Sequence, residues 1–328
     1  MEIKPLNGRY LVAGSTGLMG ITSLLRLKDH PGVDVVATYH NRPPAVVADN
    51  ITYKKCDCTK LSECKDATKG IDYVLMFASS PFSISNATYE DTISYFNNDT
   101  RIHINMLEAS HLNDVKKYLY LSSCTIYADK DAIFSEEDMF MDEDPPECYF
   151  SVGWQSRYIE TLCKIYALKF NIKKNIDISI LRPTAIYGEY ESFENDKSHV
   201  LPSMVKKVID NKDRIEVWGD GKIKRDFIYS DDVFDACCLA LEKVENFDIF
   251  NIGCETEYDI NFLLDMILSI EHICDANIEY NLSQQSFCPS RQVSCKKARK
   301  YLGFKSKTSL EKGLKKMIFS YKSKRENK

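Results

Sequence analysis

The sequence predicts a doubly wound α/β fold, a Rossmann-type parallel sheet with a smaller C-terminal substrate-binding lobe, and three observations predict it. An apolar strand near the N-terminus runs directly into a turn with regularly spaced glycines. Apolar runs then alternate with helical stretches as far as Gly188, and beyond that point the rhythm breaks into shorter elements interleaved with loops. Strands that are apolar throughout, rather than on alternate residues, are covered on both faces, which is the arrangement of a parallel sheet.

The opening unit carries the first functional signal. Tyr10 to Ala13 reads as a short buried strand, and Gly14, Gly17 and Gly20 follow at intervals of three, before a helix beginning near Leu18. The first glycine permits a tight turn, the second lets backbone N–H groups approach a pyrophosphate, and the third lets helix pack closely on strand. A dinucleotide site over Gly14, Thr16, Gly17, Leu18 and Met19 is expected there; the alternative is a mere tight turn.

Val33 to Thr38 is the second strand, and its end decides the choice of coenzyme. The segment Thr38-Tyr39-His40-Asn41-Arg42 holds no acid for a ribose 2′-hydroxyl and places an Arg within reach of a 2′-phosphate. Tyr39, Asn41 and Arg42 therefore point to NADP, with NAD still open and Arg42 as a plain surface residue the alternative. Ile51 to Lys55 is the third strand; Asp57 beyond it suits either an adenine amino group or a solvated turn. Tyr73 to Ala78 is the fourth strand, ending at Ala78 beside the expected coenzyme.

A long helical stretch around Thr92 to Ser110, the strand Lys117 to Ser122, a helix from about Gly153 to Phe170 and the strand Asp177 to Leu181 complete the regular part. The nucleotide-binding domain is placed at residues 1–188, with 226–253 returning to it, and the substrate lobe at 189–328. Val200 to Ile209, Ile215 to Trp218 and Phe262 to Ile270 are the ordered segments expected in the lobe.

With 328 residues, 44% of them hydrophobic, the chain can bury a substantial core. A net charge of -5 argues against a nucleic-acid partner. No segment approaches the roughly 20 apolar residues that span a bilayer, and nothing resembles a signal peptide, so a cytoplasmic protein is expected. The twelve cysteines include Cys56-x-Cys58 and Cys237-Cys238, but no C-x-x-C pair recurs and no histidines cluster nearby. Reduced thiols and no metal are the expectation.

Several stretches then occur in one order: Gly14 to Gly20, Leu121-Ser122-Ser123-Cys124-Thr125-Ile126-Tyr127, Leu181-Arg182-Pro183-Thr184-Ala185-Ile186-Tyr187-Gly188, Ser198-His199-Val200-Leu201-Pro202, and Trp218-Gly219-Asp220-Gly221 followed by Arg225-Asp226-Phe227. Together they resemble the extended short-chain dehydrogenase/reductase family, the NAD-dependent epimerase/dehydratases of nucleotide sugars. The Ser-His-Val-Leu-Pro run and the segments after it are most similar to its GDP-L-fucose synthase-like epimerase/reductases. The resemblance implies a nucleotide-sugar substrate, commonly GDP- or UDP-linked, and a homodimer. It places the catalytic Ser at Ser123, a carbon acid/base at His199 and that residue's partner at Thr125, where the family has Cys. It also implies Pro183 at the coenzyme, and Arg225, Arg291 and Lys207 at the substrate. An imidazole suits that role because its unperturbed form titrates near neutrality. Ser123 could equally be a strand-end Ser tying up a loop.

The departure is at the catalytic helix. The family's Tyr-x-x-x-Lys pair shares one helix face, so that the cation lowers the phenol pKa. Here the matching positions are Val152 and Ser156, and no shift of register restores the pair. Tyr149, with Arg157 supplying the charge, is the rescue the sequence offers. Three functions follow: an NADP-dependent nucleotide-sugar epimerase/oxidoreductase using Ser123, His199 and Tyr149; a non-redox epimerase acting through His199; and a redox-silent homologue that only binds. For the helix after Gly153, Ile159, Leu162, Cys163 and Tyr166 fit a dimer seam and packing on the chain's own sheet equally well.

Overall fold

A computed structural model describes residues 3–80, 88–168, 176–193, 199–211, 214–283 and 292–326. Seven strands form the central sheet: β1 (Gly8–Ala13), β2 (Val33–Tyr39), β3 (Ile51–Lys55), β4 (Tyr73–Met76), β5 (Lys117–Leu121), β6 (Asp177–Pro183) and β7 (Phe247–Ile252). Their order is β7-β6-β5-β4-β1-β2-β3, and every pairing is parallel. The chain therefore reverses direction between β1 and β4, and ligands of such sheets sit in the crevice outside the carboxyl ends at that switch point.

The pleat of β1 shows why these strands read as continuous apolar runs. Tyr10 and Val12 enter the core on one face, while Leu11 and Ala13 enter a separate core on the other. The first face is covered by α1 (Leu18–Leu27) and, from far along the chain, by α6 (Ser230–Lys243). The second is covered by α2 (Leu61–Ala67), α3 (Tyr89–Leu112) and α4 (Phe150–Leu168). Helix α3 starts at a reciprocal cap, in which Thr88 and Asp91 satisfy each other's backbone N–H groups.

Helix α4 begins at Phe150, three residues ahead of the expected Gly153, because Pro146 leads into a single 3₁₀ turn at Glu147–Tyr149 that feeds it. Ile159 and Cys163 of α4 are 2% and 0% exposed and face the chain's own sheet. The lobe has its own core, built from α5 (Val200–Asp210), α7 (Ile260–Ile270) and α8 (Leu310–Glu326), a three-stranded sheet of Ala185–Tyr187, Lys224–Tyr229 and Glu257–Asp259, and the parallel pair Ile215–Trp218 with Ile278–Asn281. Among the described residues no helix is long and apolar enough to cross a membrane.

Candidate functional site

The glycine turn is built as a seat for an anion. Gly14 has φ +80, and a Cβ on it would stand 2.7 Å from the backbone N and Cα of Ala78, so the loops after β1 and β4 touch at the switch point. A Cβ on Gly20 would lie 2.2 Å from the Gly14 carbonyl, which is how α1 comes so close to the strand. Gly17 is the N-cap of α1 and offers no side-chain cap, and the first turn carries no acid. The first helical hydrogen bond runs from Ile21 N–H to the Gly17 carbonyl, so the N–H groups of Leu18, Met19 and Gly20 have no partner within the helix. A Cβ on Gly17 would meet only the Gly14 carbonyl, at 3.6 Å, so the space in front of the turn is open. Unpaired N–H groups, the positive end of the helix dipole and open space fit the pyrophosphate of a dinucleotide.

Around that seat the sequence-predicted coenzyme residues fall as follows. Thr16 is half-buried in the turn, and Pro183 is buried at the end of β6. Tyr39 is half-buried against Tyr53, while Asn41 and Arg42 are exposed. Arg42 has no ion-pair partner among the described residues and lines a cleft of about 1500 Å³, whose other walls include Glu189, Glu191 and Phe193 and the lysines Lys316 and Lys324 of α8. Asp57 accepts from the N–H and hydroxyl of Thr59, at 3.1 and 2.6 Å, and faces Lys60. The Thr59 hydroxyl holds its carboxyl below the usual range.

The chemistry-bearing residues divide into two groups. Ser123 is the N-cap of a short turn, Cys124–Ile126, and its Oγ accepts from Thr125 N–H at 3.2 Å. That bond fixes the hydroxyl and leaves its own proton to donate. Thr125 Oγ1 is buried with no hydrogen-bond partner, an orphaned polar atom at the expected substrate face. The start of α4 presses on this turn: a Cβ on Gly153 would lie 2.8 Å from the Thr125 carbonyl. Val152 is half-buried, and Ser156 is buried.

Arg157 bonds to backbone carbonyls in this structure. Its guanidinium is fully buried, with Nε and Nη2 donating to the Ile126 carbonyl at 2.8 and 2.6 Å and Nη1 to the Glu143 carbonyl at 2.5 Å. Trp154 covers it. Those bonds hold two loops together, and Tyr149 sits half-buried with its backbone N–H on the Pro146 carbonyl. Next to it, Cys148 is disulfide-bonded, a departure from the expectation that all thiols are reduced.

In the lobe, His199 is the exposed N-cap of α5 and makes no side-chain cap. Glu191 lies within its electrostatic reach; burial raises the Glu191 carboxyl, against the pull of the imidazole. Arg225 is the second residue of the strand Lys224–Tyr229 and donates to the Lys224 carbonyl. Lys207 points elsewhere than to an open site: its Nζ donates to the Glu216 carbonyl at 2.8 Å and lies over the Trp218 ring, and burial lowers its pKa. Arg291 lies outside the described residues.

Sequence reasoning missed the polar network beneath the site. Glu160 of α4 and Arg182 of β6 form a buried ion pair at 2.6 Å, 2% and 1% exposed. Ser122 donates to Glu160, Arg182 donates to the Tyr127 hydroxyl, and that hydroxyl donates to Asn251 of β7. The network ties the Ser123 turn, α4 and two strands together. Its signal was in the sequence: an Arg at the end of the apolar run Ile178 to Leu181 demands a buried counter-charge. Asp99 of α3 does similar service, accepting from Ser80 N–H at 2.6 Å and from Gln155 at 2.7 Å.

Comparison with known proteins agrees with this architecture. The model of the NAD dependent epimerase/dehydratase family matches residues 10–253, and the chain belongs to that family. A GDP-L-fucose synthase of Sinorhizobium fredii is 26% identical, with 98% of each chain covered. A GDP-mannose 3,5-epimerase of Arabidopsis thaliana is 26% identical over 81% of this chain and 70% of its own length. Among solved structures, UDP-glucose 4-epimerase of Thermotoga maritima superposes with a TM-score of 0.84 at 21% identity, covering 97% and 99% of the two chains.

Proposed function

We propose that this chain is an NAD(P)-dependent epimerase/oxidoreductase of a GDP- or UDP-activated sugar whose proton transfers bypass a Tyr–Lys pair. The observation that carries the reading is the open first turn of α1 beside the Gly14–Ala78 contact, which forms a diphosphate seat at the switch point of a family whose characterised relatives act on nucleotide sugars. Bound there, the nicotinamide coenzyme would supply or accept the hydride at the sugar. Arg42, exposed and without a counter-ion among the described residues, favours the 2′-phosphate of NADP.

His199 would move the proton at the carbon beside the keto group, with Glu191 steadying the imidazolium. Ser123 would donate to the sugar oxygen as charge develops on it. Thr125 Oγ1 would take up the hydrogen bond it lacks in the free protein from a sugar hydroxyl. Arg225, and Arg291 by its motif, would hold the nucleotide diphosphate. A homodimer belongs to the same proposal, through exposed Ile93 and Phe96 of α3 and Tyr158 of α4.

A second reading, a homologue that binds without redox chemistry, is favoured by Val152 and Ser156 together with the committed Arg157. One experiment separates the readings. The protein is mixed with NADPH and GDP- or UDP-4-keto sugars in deuterated water, and coenzyme absorbance and deuterium in the sugar are followed. Oxidation of NADPH supports the redox enzyme, deuterium uptake without it a non-redox epimerase, and saturable binding with neither the silent homologue. Lack of pyridine-nucleotide binding in calorimetry overturns the coenzyme seat. His199→Asn should cut turnover or exchange by about 10²–10⁴ while leaving nucleotide-sugar affinity unchanged.

A further inference from the structure

Three cysteines that this chemistry does not use converge just behind the coenzyme loop. Cys56 follows β3 directly, its N–H donating to the Tyr39 carbonyl at 2.9 Å; Cys58 stands on the other side of Asp57; and Cys64 comes in from α2. They are 2%, 8% and 0% exposed. The sulfurs of Cys56 and Cys58 are 3.8 Å apart, and all three lie within 4.8 Å of one another. No other group of three such donors lies that close among the described residues.

Three sulfurs bound to one ion at about 2.3 Å each stand about 4 Å from one another, so the observed spacing is that of a coordination triangle needing only small side-chain torsions to close. No His, Asp, Glu or further Cys among the described residues completes a fourth position, and the group is shut off from water. Zinc favours a four-coordinate tetrahedral site, whereas soft thiolates select Cu(I). We propose that Cys56, Cys58 and Cys64 form a three-sulfur site for Cu(I). On binding, each sulfur that joins the ion releases its proton to solvent, and the ion keeps its oxidation state. Asp57 lies between two of the ligands, so the ion would also fix the turn assigned to the adenine; that consequence rests on the proposed coenzyme site, and the metal site does not.

The test is an anaerobic titration of the reduced full-length protein with Cu(I) against a chromophoric Cu(I) chelator, with parallel Zn(II) titration and metal analysis after gel filtration. One Cu(I) per chain, a rise in melting temperature and unchanged binding in Cys274→Ser, an exposed cysteine elsewhere, are expected. Removing a direct ligand should weaken Cu(I) binding at least as much as losing a supporting contact does, so Cys58→Ser and Cys64→Ala should each cost about 100-fold or more. Circular dichroism reports whether either variant is folded, and the wild-type titration stands without them. The proposal is overturned if the wild type retains no Cu(I), if Zn(II) is held more tightly, or if folded Cys58→Ser binds as the wild type does. NADPH affinity measured with and without Cu(I) checks the coupling to Asp57 separately.

Discussion

The turn after β1 and the start of α4 lie at the same edge of one sheet, yet they meet the family pattern differently. At the turn, the three glycines are present and two are sterically enforced: Gly14 cannot carry a Cβ beside Ala78, nor Gly20 beside the Gly14 carbonyl. At the start of α4 the positions that the resemblance matches to the family's Tyr and Lys hold Val152 and Ser156, while the scaffold under them, Glu160 with Arg182 and Ser122, is complete and buried. On the proposed function, holding a ligand and moving its protons are separable requirements. The first is written in backbone geometry and the second in a few side chains, which can change without disturbing the frame.

The comparison breaks most sharply at the frame. Glu160→Gln would leave the Arg182 charge buried without its partner, and chemical denaturation should show a loss of about 3–5 kcal/mol. A loss as small as that of a surface substitution would mean that the floor of the site does not depend on this pair. On the other side, Gly14→Ala combines a left-handed backbone with overlap of Ala78, and should cost about 2–4 kcal/mol and abolish NADPH binding in calorimetry. Retained binding would remove the steric reading of the turn.

A subtler difference comes from Asp226, which accepts the N–H groups of Cys254 and Glu255 just beyond β7. Burial raises its pKa from 3.8 to about 7. The folded protein therefore holds this proton more tightly than the unfolded chain does. Its stabilising contribution is complete below pH 3.8 and is lost as pH rises to about 7. Unfolding experiments between these limits should show the wild type losing on the order of 4 kcal/mol relative to Asp226→Asn as pH rises; parallel profiles would rule the effect out. The smallest effect expected is at Arg42, where Arg42→Ala should weaken NADP binding by about tenfold, near 1.4 kcal/mol, and leave NAD unaffected.

The sheet was legible because most of its strands are apolar runs buried on both faces; β3, Ile-Thr-Tyr-Lys-Lys at the sheet edge, is the exception, with no residue buried. The glycine seat was legible because φ and close approach leave glycine little substitute. Long-range partners were not. Nothing local to Arg157 says that its acceptors are the carbonyls of Ile126 and Glu143, and the Trp154 beside it gave no hint that the charge would turn inward. Cys64 joins Cys56 and Cys58 only because α2 brings it back, and the spacing matches no familiar ligand motif. The start of α4 was misplaced because a 3₁₀ turn after two prolines continues into a helix that its glycine appeared to open.

The hydroxyls of Thr22 and Ser230 meet across α1 and α6, 208 residues apart, and Ala298, Leu302 and Phe304 close the same core. During synthesis, then, the N-terminal half would leave the ribosome with one face of its sheet still uncovered, and it would stay vulnerable to chaperone capture and proteolysis until residues 230–304 had emerged.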